Sequence, residues 1–105
     1  MKIAFFGTPE LCLSFLEKMK DSSYLPSLVI TNPDKPIGRK QEITPTPVKI
    51  WAEKNNIEVL NPEKIKDEFS DILKEKEIDL SVVIAYGSIL PEKVINTPKF
   101  GTINV

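Results

Sequence analysis

An open α/β fold, with a mostly parallel sheet and helices on both faces, is what this sequence predicts, and three observations carry that expectation. Short, almost uniformly apolar runs recur at 2–6, 25–31 and 80–85, as strands covered on both faces do. Between them lie segments whose apolar residues return at helical spacing. Two of those segments open on Thr-Pro, a hydroxyl cap followed by a residue that needs no N–H partner. The 105 residues, 41% hydrophobic and 28% charged, suffice for one core and point to a single domain over 1–105.

The first strand is Lys2–Phe6, where Ile3, Ala4, Phe5 and Phe6 follow one another, and Gly7 lets the chain turn. Thr8 is expected to cap the next helix with Pro9 at its first position, and Leu11, Cys12, Phe15, Leu16 and Met19 form its inner face. Asp21, Ser22 and Ser23 break it. Leu25–Thr31 is the second strand, with Pro26 tolerable only near its start. A long loop follows, and Thr46 and Pro47 then open a helix through about Lys54 with Val48, Ile50, Trp51 and Ala52 inward.

Asn55 and Asn56 end that helix before a brief strand, Ile57–Leu60. Ile65, Phe69, Ile72 and Leu73 fall on one face of a helix expected over Lys64–Lys76. Leu80–Ala85 is the most hydrophobic run and reads as an interior parallel strand, Pro91–Asn96 as a short helical turn, and Gly101–Val105 as a last strand. This βαβ alternation is Rossmann-like.

Composition removes several functions. A lone Cys12 and the absence of histidine exclude an internal disulfide and the usual zinc spacings, so no metal site is expected and a reducing, cytoplasmic setting fits. The apolar start is too short for a signal peptide or a membrane span. Fourteen basic and fifteen acidic residues leave a net charge of −1, so contact with nucleic acid would need a local patch. No G-x-G-x-x-G or P-loop accompanies Gly7, which removes the fingerprint of dinucleotide or ATP binding. A structural turn, or contact with the amino-acid or phosphate end of a substrate, remains open for Gly7.

Three segments carry the chemistry. Thr31–Lys49 has four prolines and the cations Lys35, Arg39, Lys40 and Lys49 where about 2–6 connecting residues would do. It is either a solvated loop diluted by Asp34, Gln41 and Glu42 or a phosphate-contacting one stiffened by proline. Tyr86, Gly87, Ser88, Ile89, Leu90 and Pro91 leave the interior strand at its carboxyl end, as a plain connector or as a cradle for a flat heterocycle. Asn104 is a carboxamide in an apolar strand, either a structural hydrogen-bonding group or a donor to a developing oxyanion.

The pieces IAFFGTPE, TNPDKPIGR followed by TPTPVK, VVIAYGSILP and FGTINV occur in this order across the whole chain, and together they resemble the methionyl-tRNA formyltransferase family. The resemblance implies transfer of a formyl group from 10-formyltetrahydrofolate, the folate donor, to the amine of methionine on initiator methionyl-tRNA. It implies that Asn104 is the first of an asparagine, histidine and aspartate set. It further implies that Tyr86 to Pro91 line the folate site and that Lys35, Arg39 and Lys40 lie on a loop facing the tRNA acceptor stem.

In that family the histidine would follow directly after Val105 and the aspartate further on. The expectation is therefore an incomplete N-terminal formyltransferase domain, inactive alone, with a complementary C-terminal part as one possible partner. The alternative from another class is a non-catalytic α/β module that binds folate or a nucleotide. A histidine encoded after Val105 would favour the first, and a true stop codon the second.

Overall fold

The computed structural model describes residues 1–105. Five parallel strands form one sheet in the order β5-β2-β1-β6-β7. They are β1 (Ile3–Gly7), β2 (Leu28–Ile30), β5 (Glu58–Leu60), β6 (Leu80–Ile84) and β7 (Thr102–Asn104). Central β1 is wholly buried and pairs with β2 at Phe5↔Val29 and with β6 at Phe5↔Val82. That double coverage is why its run is continuously apolar rather than alternating.

Successive β1 side chains point to opposite faces. Ile3 and Phe5 join Val29, Val82 and Ile84 beneath α1 (Cys12–Asp21) and α2 (Pro47–Lys54), against Cys12, Leu16, Val48 and Trp51. Ala4 and Phe6 join Leu28, Ile30 and Val83 beneath α3 (Phe69–Glu75) and α4 (Glu92–Asn96), against Phe69, Leu73 and Val94. Helices thus cover both faces of the sheet, as the strand and helix patterns required.

Several local expectations change. The long loop contains an antiparallel hairpin, β3 (Lys35–Ile37) with β4 (Glu42–Thr44), in register Pro36↔Ile43. Prolines suit this extended two-stranded ribbon because it has free edges. Helix α1 starts at Cys12 with no side-chain cap. The preceding residues form a tight turn, Cys12 N–H to the Pro9 carbonyl at 3.0 Å, so the Thr8 hydroxyl cannot reach the helix and Leu11 is left exposed.

In α2 the Thr46 cap is present, its Oγ1 accepting from Lys49 N–H at 3.1 Å. Ile50, however, is exposed, because it lies about 200° around the helix from Val48. Helix α3 begins at Phe69 rather than near Lys64. Ile65 is buried in the same core from a non-helical segment, so the periodicity marked burial correctly but overextended the helix.

Candidate functional site

The carboxyl ends of β1, β2, β6 and β7 share one rim of the sheet, and loops leaving a parallel sheet there are where ligands meet such folds. After β6 the backbone turns sharply. Ala85 has φ 48° and Gly87 φ 91°, the latter a region where a side chain would be strained. Between them Tyr86 is driven into the core, its ring edge-on to Phe6 at 5.7 Å and 85°. Its carbonyl accepts from the Thr8 hydroxyl and from the Asn32 carboxamide, each at 3.3 Å. The exits of three strands are thereby tied together.

Ser88 and Ile89 then project into solvent, Ile89 being 96% exposed, while Leu90 returns to the core. Asn104, at the end of β7, is exposed beside them. A cavity of about 270 Å³ lies between, bounded by Val83, Ser88, Ile89, Leu90, Thr102 and Asn104. A second, of about 410 Å³, continues past Gly87 and Val105 and shares Ser88, Ile89 and Asn104. A third, of about 400 Å³, shares Gly87 and Ser88 with Asn32, Pro33, Lys35 and Glu63. The shared walls make one trough from β7 to the base of the hairpin.

Of the residues singled out in the sequence, Asn104, Gly87, Ser88, Ile89 and Leu90 meet in this trough, and Lys35 borders its far end. Tyr86 also borders the middle of the trough, although its ring packs into the core against Phe6 and burial pushes its phenol above the ordinary range. Pro91 caps α4. Arg39 and Lys40 stand exposed in the hairpin turn, outside the trough. Lys49 is not a free cation, since its ammonium pairs with Asp34 at 3.0 Å.

Asn32 and Glu63 were overlooked. Asn32 was findable, being a polar residue two positions after a buried strand at the ligand-binding rim, whereas nothing local marks Glu63. Cys12 is no nucleophile. Its thiol donates to the Ile84 carbonyl at 3.2 Å, and burial pushes it up, only partly offset by the Thr8 backbone. No group of three His, Cys, Asp or Glu side chains is placed to hold a metal ion, and no helix is long and apolar enough to cross a membrane.

The family model described as formyl transferase matches residues 1–105. The chain is 51% identical to the methionyl-tRNA formyltransferase of Sulfurihydrogenibium sp. (strain YO3AOP1), with all of this chain and 34% of that protein covered. It is 47% identical to the protein of the same name from Halalkalibacterium halodurans, covering 33% of it, and 44% identical to that of Caldicellulosiruptor saccharolyticus, covering 35%. The chain spans about a third of the length of these curated relatives. With the match running from its first residue to its last, the chain belongs to the formyl transferase family.

Proposed function

We propose that this chain is the donor- and acceptor-facing N-terminal part of an enzyme that moves the formyl group of 10-formyltetrahydrofolate onto the amine of methionine on initiator tRNA. The observation that carries this reading is the cavity shared by Asn104 and the Ser88–Leu90 segment. A flat fused ring suits it, because Val83, Ile89 and Leu90 offer apolar surface to the ring faces and Ser88 and Thr102 offer hydrogen bonds to its edge. The donor supplies the activated formyl group.

In this reading the Asn104 carboxamide donates an N–H to the oxygen on which negative charge develops as the amine attacks, an interaction worth about 10²–10³ in rate. Ile89 and Leu90 give the reacting centre apolar surface on one side, and the Ala85–Gly87 kink holds Ser88 toward the trough. Lys35, Arg39 and Lys40 meet tRNA phosphates, positioning the acceptor without reading its bases. The histidine and aspartate implied by the resemblance would complete the set from the part of the relatives' length that the chain does not span. Members of such a set fail together, so the chain alone is expected not to turn over.

A formyl-transfer assay on charged initiator tRNA tests this, comparing the 105-residue chain with a version continued to the relatives' length. Transfer by the longer protein only is the expected result. Transfer by neither would remove the assignment, and equal transfer by both would remove the division of catalytic residues.

A further inference from the structure

The Tyr86 carbonyl uses both of its lone pairs, one for the Thr8 hydroxyl and one for the Asn32 carboxamide. It belongs to the peptide unit between Tyr86 and Gly87, flanked by two left-handed residues, Ala85 at φ 48° and Gly87 at φ 91°. Glycine lets a neighbouring peptide swing, so the two side-chain bonds are what hold this unit in place. Asn32 is itself anchored, because Asn61 Nδ2 donates to the carbonyls of Thr31 and Asn32 at 3.4 and 3.5 Å. The Asn32 Nδ2 also sits 3.8 Å from the point where a Gly87 Cβ would stand.

The carbonyl and the N–H of one trans peptide point in opposite directions, and no peptide bond in this chain is cis. With the Tyr86 oxygen turned toward the exits of β1 and β2, the Gly87 N–H faces away from Asn32. On that side lies the arm of the trough of about 410 Å³ that Gly87 shares with Ser88, Ile89 and Asn104, and that Asn32 does not border. The Gly87 N–H has no acceptor within the protein. It is a free donor on an exposed turn.

We infer that Asn32 is a positioning residue of the donor site: acting with Thr8 through the Tyr86 carbonyl, it fixes the peptide unit so that the Gly87 N–H is presented to the folate in the trough. This rests on the proposed folate-dependent transfer and adds a residue that borders neither cavity holding Asn104 yet governs how firmly the donor is held. Without Asn32 the carbonyl keeps one bond of two, and the peptide gains freedom that binding must then remove.

Tetrahydrofolate titrated into the ¹⁵N-labelled 105-residue chain tests this at the Gly87 amide. In the unchanged chain the Gly87 proton should move downfield on binding, as a proton entering a hydrogen bond does. Asn32→Ala should weaken binding about tenfold, the worth of one hydrogen bond, and should shrink that downfield movement at saturation. Asn32 is half-buried and outside every helix and strand, so the core signals of Phe5 and Val82 should stay in place. Thr8→Val removes the other donor and should act in the same direction. Thr8→Ser keeps the hydroxyl and should bind as the unchanged chain does, which separates a bond to the carbonyl from packing alone.

Three results would overturn the inference and leave the proposed function standing: a Gly87 proton that stays still while Ser88–Leu90 respond, undiminished affinity in Asn32→Ala, or loss of the core signals in both Asn32→Ala and Thr8→Val. Silence of the unchanged chain to tetrahydrofolate removes the proposed function and this inference together.

Discussion

The hydroxyls of Thr31 and Thr46 meet at 2.7 Å in the buried base of the hairpin, joining the exit of β2 to the start of α2. Thr46 Oγ1 also accepts from the Lys49 N–H at 3.1 Å. One oxygen thus serves as helix cap and as partner to a fully buried hydroxyl.

Thr46→Ala should therefore lower stability by about 2–3 kcal/mol, from the lost cap and the orphaned Thr31 hydroxyl together. Thr46→Ser keeps the oxygen and should recover most of it. Urea midpoints of the two variants give the comparison, and equal midpoints would show that the hydroxyl pair contributes little.

Gly7 is small because three elements converge on it. A Cβ there would lie 2.6 Å from the Phe5 ring, 2.8 Å from the Ile84 carbonyl and 2.9 Å from Cys12 Sγ. Gly7→Ala should cost about 1–3 kcal/mol by overpacking. Adding Cys12→Ala relieves one contact of the three, so the double variant should regain only part. Thermal melts of both variants check this ordering.

The hairpin turn should act on tRNA and not on folding. Arg39 is exposed, so Arg39→Ala should leave the melting temperature unchanged. In the protein continued to its relatives' length, the variant should weaken tRNA binding and flatten the salt dependence of the binding constant by about one unit of log–log slope. Filter binding over a range of KCl concentrations reads both effects.

Two buried acids set an alkaline limit on stability. Burial pushes the Cys12 thiol above its ordinary 9.0 and the Tyr86 phenol above its ordinary 10.0. The unfolded chain releases these protons first, so the folded state binds more of them at high pH. The associated stability is full below pH 9.0 and is lost progressively above it, first through Cys12 and then through Tyr86. Cys12→Ala should remove the earlier part of the decline. Urea midpoints between pH 7 and pH 10.5 test it, and a flat profile would contradict it.

The sheet and its two helical layers were legible because each run carries its own environment, uniform apolarity in β1 and β6 and a one-sided stripe in α2. The hairpin was not legible. Its strands are short and mostly exposed, so no alternation of burial marks them. Helix starts proved the weakest reading, for Thr8-Pro9 and Thr46-Pro47 look alike in sequence. Only Thr46 caps a helix, because the tight turn from Pro9 to Cys12 separates Thr8 from the start of α1, and the Thr8 hydroxyl donates instead to the Tyr86 carbonyl, a tertiary partner.

Within the candidate site, position along the sheet rim did most of the predicting. It brought Asn104 and Ser88–Leu90 together, yet it could not show that Tyr86 turns inward. That inversion follows from the left-handed Ala85, a conformation no local sequence rule assigns to alanine.

The most direct measurement is the turnover of Asn104→Ala in the protein continued to its relatives' length, assayed on charged initiator tRNA. Asn104 is exposed at the end of β7, so the fold should persist while kcat falls by about 10²–10³ with little change in KM. An unchanged kcat in a folded variant would contradict the role given to the carboxamide and, with it, the placement of the reacting centre in the trough.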